Sequence, residues 1–120
     1  MKTFKELKEE YKQLMFKMGV YQIRNLVNNK VFIGSSKDLT AAWNAQQFQL
    51  NLGSHRNKTL QEDWNRFGAD KFIYEILEEL TFAEDKPVDV DSELNVLEAM
   101  VLEEIQPYND KGYNRIKKPY

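Results

Sequence analysis

Glu98 is the first residue to ask about. It lies four positions after Leu94 and three before Val101, so it interrupts a helical stripe of Leu94, Leu97, Val101 and Ile105. A carboxylate turned inward pairs with a cation or holds a metal. At the edge of the stripe it would instead reach out to solvent. His55 is the sole histidine, in "GSHRNK" beside Arg56 and Lys58. That setting suits either a proton relay or a phosphate contact, and otherwise a solvated loop residue. Tyr21 in "GVY" and Phe32 in "FIG" have ten residues between them. Taken alone they read as sheet packing, with the Tyr21 phenol as the one reactive group of the two.

The elements that must position these groups follow from periodicity. Residues 3–16 place Phe4, Leu7, Tyr11, Leu14 and Met15 at helical spacing, and Gly19 breaks the pattern. "GVYQIRN" and "KVFIGSS" read as two strands joined at Asn28-Asn29, a pair that tolerates positive φ. Ser35 or Ser36 is expected to cap the next helix, with Asp38 near its positive end. That helix carries Leu39, Trp43 and Leu50, and Gly53 suits its end. "KTLQEDWNRFG" repeats the form with Leu60, Trp64, Phe67 and Gly68, and "KFIYEILEEL" alternates as a third strand. "DKPVDVD" reads as a loop, and "SELNVLEAMVLEEI" as a helix capped by Asp91 or Ser92 and ended by Pro107. "GYNRI" is either a short edge strand or a packed tail. The order α-β-β-α-α-β-α predicts an α+β sandwich, a small, mainly antiparallel sheet with helices on its faces.

Composition narrows the function. A chain of 120 residues fits one core, and the absence of cysteine excludes disulfides and thiolate metal sites. No apolar run approaches the ~18 residues of a membrane span, so no membrane association is expected. The N-terminus lacks the features of a signal peptide, and a cytoplasmic protein is expected. Net charge is −2, but residues 1–60 hold ten Lys/Arg against four Asp/Glu, while residues 61–120 hold seven against fifteen. Any nucleic-acid contact should therefore draw its cations from the first half. Between Asp38 and His55 sixteen consecutive residues carry no charge at all.

The ordered set "GVY", "FIG", Ser-Ser-Lys-Asp before a helix with Trp43, "GSH", "LQEDWNRFGADKF" and a late "GYN" resembles the GIY-YIG nuclease family. The similarity runs from Gly19 to Asn114, so residues 1–18 form an amphipathic extension and 19–120 the nuclease-like domain. The resemblance implies a three-stranded antiparallel sheet flanked by helices. It also implies hydrolysis of nucleic-acid phosphodiester bonds with one divalent ion, Mg²⁺ or Mn²⁺. Such chemistry needs a base for water, a cation for the phosphoryl oxygens and a carboxylate for the metal.

By that resemblance Tyr21, His55 and Asn114 are catalytic and Glu98 is the metal ligand. Three site positions are substituted. The second motif's tyrosine is Phe32, the helix arginine is Ala42, and the His or Tyr one turn later is Gln46. The charge-free helix is thus the family's catalytic helix without its cation, and impaired catalysis is expected. Lys30, Lys37, Arg56 and Lys58 are expected to form a nucleic-acid groove. A replacement cation would come from Arg56 rather than Arg24, since Arg24 is three residues from Tyr21 and points to the other face of a strand. Two alternatives remain on the same fold: a non-catalytic nucleic-acid binder, and a protein-interaction module that self-associates through the N-terminal helix.

Overall fold

The computed structural model describes residues 17–80 and 89–116. The expected helix over residues 3–16, and with it the self-association surface, lies outside the described residues. So does the first part of the expected loop, residues 85–88.

Three strands form one antiparallel sheet in the order β2-β1-β3. β1 is Gly19–Asn25, β2 is Val31–Ser36 and β3 is Phe72–Glu79. β1 and β2 form the expected hairpin, and Asn29 takes the positive φ of 63° that its turn needs. The register sets Tyr21 opposite Gly34 and Ile23 opposite Phe32. The period of two then divides the side chains cleanly. Tyr21, Ile23, Phe32, Phe72 and Tyr74 pack on one face, and Val20, Val31, Ile33 and Leu77 on the other.

Helix α1 (Leu39–Leu52) and helix α2 (Lys58–Phe67) cover the first face, where Leu39, Leu50, Leu60 and Trp64 complete the core. Helix α3 (Val90–Ile105) covers the second through Val101, with Leu97 and Ile105 half-buried beside it. No helix among the described residues is long and apolar enough to cross a membrane.

Two caps differ from expectation. Asp38, not Ser35 or Ser36, caps α1 by accepting the Ala41 N–H at 3.1 Å, while Ser36 is tied to the Asp38 backbone. Asp89, not Asp91 or Ser92, caps α3 by accepting the Ser92 N–H, so the helix starts inside the expected loop. In both cases several good cap formers stand in a row, and the residue whose oxygen reaches the third N–H takes the role. Gly53 ends α1 in the left-handed region at φ 77°, as anticipated.

The tail resolves the choice left open for "GYNRI". Gly112 forms a parallel bridge with Val31, and the Tyr113 N–H donates to Val31 O at 2.9 Å. The Asn114 amide spans Ile33, accepting its N–H at 2.8 Å and donating to its carbonyl at 2.9 Å. A tail of this kind closes the edge of β2, whose backbone groups would otherwise stand open.

Candidate active site

The site is wrapped around the edge strand β2. On the α1 side, Tyr21 stands over Gly34 so closely that a Cβ at that position would lie 2.6 Å from the phenol oxygen. Glycine is required there by contact rather than by backbone angle. On the α3 side, the next residue, Ser35, donates its hydroxyl to Glu98 Oε2 at 2.9 Å. Strand alternation thus presents a phenol and a carboxylate from opposite faces of one edge.

His55 is buried, only 8% exposed, which overturns its reading as a solvated loop residue. Its loop is held by Gln61, which accepts the His55 N–H and donates to Leu50 O at 2.9 Å. Nδ1 accepts the Asn57 N–H at 3.0 Å, so the ring proton sits on Nε2 and is donated to Gln46 Oε1. The Gln46 amide passes the pattern on, donating from Nε2 to Tyr21 Oη at 3.2 Å. Phe32 packs edge-on against the imidazole, with centroids 5.6 Å apart. His55, Gln46 and Tyr21 therefore form one polar line, with its last proton, the Tyr21 O–H, not committed to that line.

Electrostatics follow from burial. Desolvation, helped by the negative charge of Glu98, pushes the Tyr21 phenol up to about 12. Desolvation, with the charge of Arg56 beside it, lowers His55 below the usual histidine value. Both groups are accordingly neutral at pH 7.

The residues that face solvent line two adjoining hollows. One, of about 430 Å³, is bounded by Phe32, Gln46, Gln49, His55, Arg56, Asn57 and Arg115. The other, of about 600 Å³, includes Glu98, Asn114 and Arg115. Of the four cations expected to form a groove, only Arg56 lines the first hollow. Lys37 is paired with Asp91 at 2.8 Å, Lys30 lies 5.8 Å from the Tyr113 ring centroid, and Lys58 opens α2, exposed. Arg24 is spent on Glu75 at 2.8 Å. Among the described residues no three acidic, His or Cys side chains cluster as a metal cage.

The chain aligns over 84% of its length with the solved catalytic domain of the homing endonuclease I-TevI. It covers 100% of that domain at 34% identity, with a TM-score of 0.68. The chain belongs to the GIY-YIG nuclease family. A mutant form of the same catalytic domain matches at 31% identity, over 93% of its length, with a TM-score of 0.69. Among curated proteins, this GIY-YIG domain is 41% identical over 69 residues to "Intron-associated endonuclease 1" of Enterobacteria phage T4. It is 38% identical over 71 residues to "Probable intron-encoded endonuclease 1" of Neurospora crassa. The chain spans 28% and 20% of the lengths of those two proteins. No family model matches the chain.

The expected α+β fold is the fold observed. The substituted positions are not empty. Gln46 joins Tyr21 to His55, Phe32 braces the imidazole, and Ala42 packs half-buried against the core. Periodicity alone could not reveal Gln46, because a neutral amide on a helix face has no signature until its partners are known. Arg115 was also missed, although it directly follows the "GYN" that flagged Asn114.

Proposed function

We propose that this GIY-YIG domain hydrolyses phosphodiester bonds of nucleic acid with the help of one divalent cation, and that it does so slowly. The observation that carries the reading is that Tyr21 stands over Gly34 on one face of β2 while Glu98 accepts from the next residue, Ser35, on the other. Water adds to phosphorus, the bond from phosphorus to the leaving sugar oxygen breaks, and that oxygen takes up a proton.

Glu98 fits a hard cation: its carboxylate borders an open hollow, and one carboxylate with several waters is an ordinary Mg²⁺ set. Mn²⁺ suits the same oxygen ligand. A bound cation would neutralise charge on the phosphate and favour hydroxide as the nucleophile. Tyr21, held as a phenol, donates its O–H toward a phosphoryl oxygen. Gln46 fixes the direction of that O–H, and His55 fixes Gln46. Asn114 acts as a positioning residue, since both ends of its amide are spent on Ile33.

Slowness has two causes. No residue from Leu39 to Ser54 is charged, so the α1 wall contributes no cation. One missing donor to a developing oxyanion costs about 2.7–4 kcal/mol, or ~10²–10³ in rate. No ready base stands in the polar line either, because both His55 nitrogens are engaged and Tyr21 is protonated.

Single-turnover cleavage of DNA and RNA substrates across pH 6 to 9, with Mg²⁺ or Mn²⁺ and with chelator, tests the reading. The expected result is metal-dependent cutting whose rate climbs with pH, without an inflection in the usual histidine range, and which falls at least ~10²-fold in Tyr21→Phe. Cutting that persists unchanged in chelator or in Tyr21→Phe would remove the assignment.

A further inference from the structure

Arg115 stands where the two hollows meet. It lines the one bounded by His55, Gln46 and Phe32, and also the one bounded by Glu98. Its place is fixed by the residues before it. The tail runs parallel to β2 from Val31, Asn114 is clamped to Ile33, and the Asn114 N–H donates to Pro107 O at 3.0 Å. Arg115 directly follows this anchored segment, and it borders both the His55 hollow and the Glu98 hollow.

The other nearby cations are less suited. Arg24 and Lys37 are held in ion pairs, and Lys30 rests against the Tyr113 ring. Arg56 lines only the His55 hollow. Arg115 is exposed and makes no ion pair with any other described residue. A guanidinium offers a planar fork that fits two oxygens of one phosphate.

We propose that Arg115 contacts the phosphodiester at this seam and supplies from the tail the positive charge that α1 lacks. The inference rests on the nuclease reading above for its catalytic part, and on phosphate chemistry alone for the contact.

Two measurements on wild type, Arg115→Ala, Arg115→Lys and Arg56→Ala test it. Binding to a short DNA duplex in chelator, at several salt concentrations, counts phosphate contacts without metal. The salt slope should fall by about 1 in Arg115→Ala. Single-turnover cleavage in Mn²⁺ should fall by ~10² or more in Arg115→Ala, with Arg115→Lys between it and wild type and with the melting temperature unchanged. A wild-type cleavage rate in Arg115→Ala overturns the inference and leaves the nuclease reading standing, and a loss confined to Arg56→Ala assigns the phosphate to Arg56. A wild type that cuts nothing overturns the nuclease reading instead. The slope then decides separately, and an unchanged slope in Arg115→Ala overturns the contact as well.

Discussion

His55 couples the site to stability. Burial holds its folded-state pKa below the unfolded value of about 6.5, so the unfolded chain binds the proton more readily. Its contribution is therefore complete above pH ~6.5 and is lost as pH falls toward the folded-state pKa. His55 is the only histidine, so no other side chain of ordinary pKa titrates in that window. Thermal melts should show the melting temperature falling between pH 7 and pH 5.5, and His55→Gln should flatten that fall. An equal fall in the variant would place the titrating group elsewhere. Tyr21 belongs to the same scale. Its phenol depends on Gly34, because a methyl group there would collide with the ring. Gly34→Ala should displace Tyr21, lower the melting temperature and reduce cleavage with it, which a paired melt and cleavage assay would read. Little change in either would mean that the ring has room to move.

At the scale of elements, β2 is the strand on which everything depends. It is an edge, its outer backbone is closed by the tail, and its two faces carry the two halves of the site. Asn114→Ala removes two hydrogen bonds to Ile33 and should cost about 1–3 kcal/mol of stability, measurable by denaturant unfolding. Loss of cleavage out of proportion to that cost would show that the clamp also aims the site. Much of this layout was legible beforehand. Alternation in "GVYQIRN" and "KFIYEILEEL" marked strands, Gly53 and Gly68 marked helix ends, and Leu94 and Val101 marked the buried side of α3. What escaped was set by tertiary contact. Asp38 and Asp89 won their caps among several equivalent neighbours. Gln46 gained its meaning from Tyr21 and His55, which lie far from it in sequence or on another element. Arg115 looked like an ordinary tail residue until the tail was seen to run beside β2.

Over the whole molecule, charge is unevenly spent. Net charge is −2, and several cations of the basic first half are engaged by acids, such as Arg24 with Glu75 and Lys37 with Asp91. What remains at the hollows is Arg56 and Arg115. The described residues at the hollows should therefore bind nucleic acid weakly, contributing about two phosphate contacts to the salt slope. The chain corresponds to 28% or less of the length of these two curated relatives, so it resembles only a part of each. The most direct measurement is long-incubation, single-turnover cleavage of mixed single- and double-stranded DNA and RNA with Mn²⁺, comparing wild type with Glu98→Ala. The account predicts slow cutting by wild type and none by Glu98→Ala, with both proteins equally folded. Equal cutting by the two, or none by wild type at any pH between 6 and 9, would contradict it.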